Sequence, residues 1–156
     1  MKRSIYYRDS IIGRNFQYLD PADRFLVPVV KPQFKFNVIG TGMIGMEHIR
    51  ITLLEGRGTI HGLYDSSPRS AQAGHAEFKR LRPEEECKLY SSLEEACNDP
   101  EADALIICTP NYTHLQVLET AAESGKPILL EKPMATSLPD AYRILKIGQE
   151  YSSLLQ

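Results

Sequence analysis

An α/β domain with a doubly wound parallel sheet is the fold this sequence predicts, and three observations point to it. Short apolar runs of strand length, such as residues 104–108, alternate with longer amphipathic stretches along the chain. Those runs are continuous rather than alternating, as expected of strands buried on both faces. The first run also breaks into three glycines, Gly40, Gly42 and Gly45, before an amphipathic stretch resumes. Regular strand–helix alternation gives a parallel sheet with helices on both faces, and ligands then gather at the carboxyl ends of the strands.

The 156 residues are enough for one domain with a proper core. Apolar content of 42% and charged content of 24% are those of a globular protein. A net charge of −2 gives no electrostatic reason to expect nucleic acid or an anionic membrane as partner. Cys87, Cys97 and Cys108 are odd in number and lack metal-ligand spacing, so no metal site is expected. The polar start at Met1-Lys2-Arg3-Ser4 does not resemble a secretory leader, and the run Phe25-Leu26-Val27-Pro28-Val29-Val30 is too short to span a bilayer. A reduced, cytoplasmic setting is the expectation.

Residues 1–33 are expected to form an N-terminal arm, set apart from a domain over residues 34–156. Pro21, Pro28 and Pro32 argue against a long helix there, and residues 25–30 suit an edge strand. Such an arm would pack on the domain or on a partner.

Residues 34–39 form the first strand, ending in Val38 and Ile39, and a helix resumes from Met46 onward. Between them each glycine has a use. Gly40 permits the tight turn, Gly42 removes the Cβ that would block a pyrophosphate, and Gly45 lets the helix pack close to the strand. The first-turn N–H groups of such a helix lack intrahelical acceptors and attract a diphosphate. The second strand, residues 59–64, ends at Asp65, twenty residues beyond Gly45. That is close to the spacing at which a carboxylate meets the adenosine ribose hydroxyls and repels a 2′-phosphate. Asp65 opens Asp65-Ser66-Ser67-Pro68, which is also ordinary turn and helix-start chemistry.

Ser67 caps a helix over residues 68–81 with Pro68 at its first position, and residues 88–90 form a short third strand. Ser92 and Glu95 have the spacing of a capping box before a short helix through Leu93, Ala96 and Cys97. The buried strand at 104–108 is followed by a helix capped by Asn111 or Thr113 and closed by Gly125. Residues 126–131 make a further strand. Ser137 starts the last helix, whose inner side carries Ala141, Ile144, Leu145 and Gly148.

Three strand ends therefore accompany the glycine loop: Asp65, the segment from Cys108 to His114, and Glu131-Lys132-Pro133. Together they resemble the N-terminal, NAD(P)-binding half of the Gfo/Idh/MocA oxidoreductases, from Phe34 to the chain end. Gly40-Thr41-Gly42-Met43-Ile44-Gly45 matches the family's glycine loop, Thr109-Pro110-Asn111 with His114 its T-P-x-x-x-H segment, and Glu131-Lys132-Pro133 its E-K-P signature. The resemblance implies a Rossmann-like dinucleotide-binding domain. It places Gly40, Gly42, Met43, Ile44 and Gly45 on the diphosphate and Asp65 on the adenosine ribose. Thr109, Pro110, Asn111 and His114 would lie near the nicotinamide, with Glu131 at its ribose. It makes Lys132 the catalytic residue beside the nicotinamide and the substrate hydroxyl. A lysine beside a cationic cofactor and partly buried gives up its proton more readily, which suits a proton relay.

The resemblance also implies a second α/β domain for substrate binding and oligomerisation, which these residues do not include. The expected reading is the cofactor-binding half of an oxidoreductase acting on a sugar, cyclitol or related polyol, inactive as this chain. NAD is preferred over NADP because of Asp65, with Arg69 as a possible counterweight. A homo-oligomer is compatible with the pattern. The alternative is a stand-alone dinucleotide-binding regulatory module. Asp65 and the glycines serve either role, whereas Lys132 is required only by turnover. A methyltransferase using S-adenosylmethionine is more distant, having no use for Glu131-Lys132-Pro133.

Overall fold

A computed structural model of the chain describes residues 32–151 and 155–156. All of the expected arm except Pro32 and Gln33 lies outside the described residues. Five parallel strands form one sheet: β1 (Phe34–Ile39), β2 (Gly58–Tyr64), β3 (Lys88–Leu89), β4 (Ala104–Ile107) and β5 (Ile128–Leu130). Their spatial order is β3-β2-β1-β4-β5. The chain thus moves outward from β1 to one edge, returns beside β1, and moves outward again. The crevice between β1 and β4 is the switch point of this winding, where ligands of open α/β sheets sit.

Among the described residues, four helices link the strands, α1 (Met43–Glu55), α2 (Pro68–Leu81), α3 (Leu93–Asn98) and α4 (His114–Ala122), and α5 (Leu138–Glu150) follows β5. Successive strand residues point to opposite faces, and the core divides accordingly. Val38 and Ile106 pack with Ile49, Leu53, Leu63 and Phe78 beneath α1 and α2. Ile39, Leu105 and Ile107 pack with Leu118, Ala121, Ile144 and Ile147 beneath α4 and α5. Each fully buried Ile, Leu or Phe contributes about 1.5–3 kcal/mol. These two layers therefore fix the sheet, and with it the strand ends.

Helix starts follow the sequence reading. Ser67, Ser92 and Ser137 accept hydrogen bonds from the N–H groups of Ser70, Glu95 and Asp140. The start of α4 differs. A 3₁₀ turn over Asn111–Thr113 feeds directly into His114, and neither Asn111 nor Thr113 makes a side-chain cap. The Thr113 hydroxyl instead donates to Pro110 O at 2.7 Å. A preceding turn already satisfies backbone groups that a cap would have served.

Two more expectations are corrected. Leu145 is 53% exposed and Ile147 is buried, so the inner face of α5 is Ala141, Ile144, Ile147 and Gly148. Leu138, Tyr142 and Leu145 form an exposed stripe on the other side. The second correction is Asn37, read only as part of a strand. It is fully buried, donating to Ala96 O at 2.7 Å and to Tyr90 Oη at 3.1 Å. Tyr90 in turn donates to Asp99, which also pairs with Lys88. A buried amide without partners would cost ~1–3 kcal/mol, so this network is what makes a polar residue tolerable in the central strand.

Among the described residues, no helix is long and apolar enough to cross a membrane.

Candidate functional site

The helix after the glycines starts at Met43, three residues earlier than the sequence suggested. Met and Ile are both compatible with a helical first turn, and nothing in Met43-Ile44-Gly45 forbids it. Gly42 becomes the N-cap, without a side chain to serve the helix, and the first ladder bond runs from Met46 N to Gly42 O at 2.9 Å. The N–H groups of Met43, Ile44 and Gly45 precede that bond and have no intrahelical acceptor. They open at the carboxyl end of β1.

The three glycines separate by what holds them. Gly40 has φ +92°, and a Cβ there would lie 2.7 Å from the backbone of Cys108 and Thr109. That contact also shows how closely the glycine loop and the loop after β4 meet at the switch point. A Cβ on Gly45 would collide with the carbonyl oxygen of Gly40. Gly42 is different. Its φ of −67° suits any residue, and a Cβ there would meet nothing within 4 Å. The protein itself has no need for glycine at this position, whereas an anion lying across the helix N-terminus would.

Asp65 ends β2 beside that loop. Its Oδ2 accepts from the Thr41 N–H at 2.7 Å and from the Thr41 hydroxyl at 3.1 Å, and its Oδ1 accepts from the Ser67 N–H at 2.8 Å. A carboxylate offers about four lone-pair sites, so one remains for a ribose hydroxyl. A second is freed if the Thr41 hydroxyl turns away. Asp65 thus ties the glycine loop to the turn that starts α2. Thr41, which the sequence reading passed over, is 2% exposed and is the loop's contact with it. A hydroxyl between two glycines, with an acid at the next strand end, was the available signal.

Across the crevice, Thr109 and Asn111 are half-buried and Pro110 is exposed. His114 does not reach open surface. It is 1% exposed, and its Nε2 donates to the Thr109 carbonyl at 2.9 Å. It therefore braces the Thr109-Pro110-Asn111 loop from beneath. His114 Nδ1 and Thr109 Oγ1 are buried without a hydrogen-bond partner among the described residues.

At the end of β5, Glu131 N–H continues the ladder to Ile107 O at 3.0 Å. The Glu131 carboxylate bonds His48 Nε2 at 2.7 Å through one oxygen and the Lys132 N–H at 3.0 Å through the other. The His48 bond is the main reason its carboxyl is held below the usual range; partial burial opposes this and the Lys132 N–H adds to it. Lys132 is exposed, so the partial burial expected of it is not supplied by the described residues. The Lys132–Pro133 peptide is cis. The His48 contact was not legible in advance, because its partner is 83 residues away. Among the described residues, no group of three or more His, Cys, Asp or Glu could hold a metal ion.

A parallel doubly wound sheet carries at its switch point a helix N-terminus preceded by a glycine whose Cβ position is open space, beside a strand-end carboxylate. Those features define a dinucleotide-binding α/β domain. Residues 34–156 match the Gfo/Idh/MocA oxidoreductase family, NAD-binding Rossmann fold, and the chain belongs to that family. It is 31% identical over 113 residues to inositol 2-dehydrogenase of Paracoccus denitrificans, covering 72% of this chain and 32% of the relative. The myo-inositol dehydrogenase of Lactobacillus casei, solved with NAD(H) and myo-inositol, superposes with a TM-score of 0.70 at 30% identity, over 79% of this chain and 35% of that one. The WlbA dehydrogenase of Bordetella pertussis, solved with NADH and UDP-GlcNAcA, gives 0.69 at 29% identity, over 78% and 36%. The chain spans about a third of the length of the relatives it matches.

Proposed function

We propose that this domain holds NAD(H) for an oxidoreductase acting on a secondary alcohol of a sugar, cyclitol or related polyol. The observation that carries the cofactor half is Gly42, a glycine with open space where a Cβ would stand. The substrate half is supported by the relatives, whose names specify inositol and whose solved complexes hold myo-inositol or a nucleotide sugar.

In this reading the N–H groups of Met43, Ile44 and Gly45 receive the diphosphate, with Gly40 turning the chain tightly beside it and Gly42 giving the backbone room to approach it. Asp65 accepts from the adenosine ribose, and Thr109, Pro110 and Asn111 wall the nicotinamide side. Glu131 serves the nicotinamide ribose. When bound, the nicotinamide supplies hydride acceptance, and the protein supplies orientation and proton handling. In this reading Lys132 Nζ exchanges a proton with the substrate hydroxyl. Its exposure among the described residues fits a site that a substrate-bearing surface would close. The buried, unpaired Cys87, Cys97 and Cys108 fit a reducing, cytoplasmic location.

Calorimetric titration with NAD⁺ and NADP⁺ tests the cofactor assignment. NAD⁺ binds more tightly, because the Asp65 carboxylate faces the position of a 2′-phosphate. Asp65→Ala weakens NAD⁺ by ~1–3 kcal/mol, the range for hydrogen bonds to a charged group. It also lowers the melting temperature, since the Thr41 and Ser67 N–H groups lose their acceptor. Equal or tighter NADP⁺ binding by the unmutated chain refutes the assignment.

The role of Lys132 is tested in a chain extended to the relatives' full length and assayed with polyols. Lys132→Ala lowers kcat by roughly 10²–10⁴-fold, the usual contribution of a positioned acid or base. The NAD⁺ dissociation constant changes much less. Undiminished turnover would remove Lys132 from the chemistry.

A further inference from the structure

His48 lies in the second turn of α1, and Glu131 follows β5. β4 separates β5 from β1 in the sheet, so the two residues belong to opposite sides of the switch point. Their side chains nevertheless meet at 2.7 Å, with only 24% and 22% of their surfaces exposed. The carboxylate can only accept, so His48 Nε2 carries the shared proton. The second carboxylate oxygen is engaged by the Lys132 N–H at 3.0 Å. Glu131 is therefore held at both oxygens, one bond reaching the helix and the other the backbone of the following residue. A fully exposed ion pair would fix little. A sheltered, charge-assisted bond with a second anchor fixes a side chain more firmly.

The placement matters because the two ends of this chain of bonds serve different parts of the proposed cofactor site. α1 presents its N-terminus to the diphosphate, while Glu131 and Lys132 stand at the nicotinamide end. We propose that His48 is a positioning residue: acting through Glu131, it sets the Lys132 backbone at a fixed distance from the diphosphate-binding helix. The inference rests on the dinucleotide reading above. Without His48, Glu131 keeps a single partner and is free to rotate, and the end of β5 loses its link to α1. The adenosine diphosphate half is held by Gly42 and Asp65, on the β1–β2 side, and does not depend on that link.

The test compares ADP with NAD⁺ by calorimetry on the 156-residue chain, with His48→Leu and His48→Gln. A glutamine amide can donate from nearly the position of the imidazole Nε2, without ring or charge. His48→Leu weakens NAD⁺ ~10-fold, one hydrogen bond's worth, and changes ADP less than ~2-fold. His48→Gln restores NAD⁺ to within ~3-fold of the unmutated chain, since the amide replaces most of one hydrogen bond. If His48→Leu does not fold, His48→Asn replaces it, because its shorter amide falls short of Glu131, and the same split is expected. Equal losses for both ligands would reduce the pair to a structural tie between α1 and the sheet, and overturn the proposal. So would unchanged NAD⁺ binding, or a folded His48→Gln that behaves like the leucine variant. Failure of the unmutated chain to bind either ligand is a distinct result, and would overturn the dinucleotide reading along with this role.

Discussion

Replacing Gly42 with valine abolishes dinucleotide binding and leaves the fold standing. The two halves of that expectation come from one observation: the space around the missing Cβ is empty of protein. With φ −67° and ψ −163°, the backbone at Gly42 lies in the extended region open to any L-residue. Changing the N-cap residue costs about 1 kcal/mol of helix stability. Part of that is offset because a non-glycine residue has fewer unfolded conformations to lose. The melting temperature therefore falls by only about 3 °C. Binding answers differently, since the isopropyl group stands over the N–H groups of Met43, Ile44 and Gly45, where a diphosphate must lie. The NAD⁺ dissociation constant rises at least ~100-fold, or ~2.7 kcal/mol, read by calorimetry beside a thermal melt. Unchanged affinity in a folded variant would show that the loop binds no diphosphate.

Gly45→Ala has the opposite signature, losing stability first and binding as a consequence. A single Cβ at this position collides with the carbonyl oxygen of Gly40, and a Val38 methyl lies 3.6 Å away. The obstacle is backbone, held in place because Gly40 itself is confined, so no side chain can rotate to relieve it. Overpacking of this sort costs 1–3 kcal/mol and occasionally more. Against backbone the upper end is expected, about 3 kcal/mol, which lowers the melting temperature by ~10 °C in a domain of this size. Binding weakens as well, because α1 must move away from β1 and takes its N-terminus along. An alanine variant that melts with the unmutated chain would mean that helix and strand are not in the close contact described.

These two glycines stand three residues apart in one motif, and the sequence anticipated the close helix–strand approach at Gly45. It could do so because the relevant distances are local. A strand, a tight turn and a helix start lie within about a dozen residues, and few backbone paths join them. The same holds for Ser67, Ser92 and Ser137, whose capping bonds span three residues each. The succession of buried runs and amphipathic stretches likewise determined a parallel, doubly wound sheet, because few layered arrangements hide such runs on both faces.

What the sequence did not determine depends on which side chains the sheet brings together. The first turn of α1 was placed three residues late, because Met43 and Ile44 carry no start signal. Asn37 looked like any strand residue until Tyr90 and Ala96 surrounded it. Leu145 and Ile147 are near equivalents in composition, and only the docking angle of α5 decided which one is buried. His114 was read only as a first-turn residue of its helix, near the nicotinamide by resemblance. Its hydrogen bond to the Thr109 carbonyl, after the 3₁₀ turn before α4, was not legible. The His48–Glu131 bond is the extreme case, joining residues 83 positions apart. Local rules, strand period and capping chemistry, settled the strands, the helices and the glycine loop. The partners of Asp65, His114 and Glu131 were decided only when the packed sheet fixed which strand ends are neighbours, because hydrogen bonds over such separations depend on packing that no local pattern encodes.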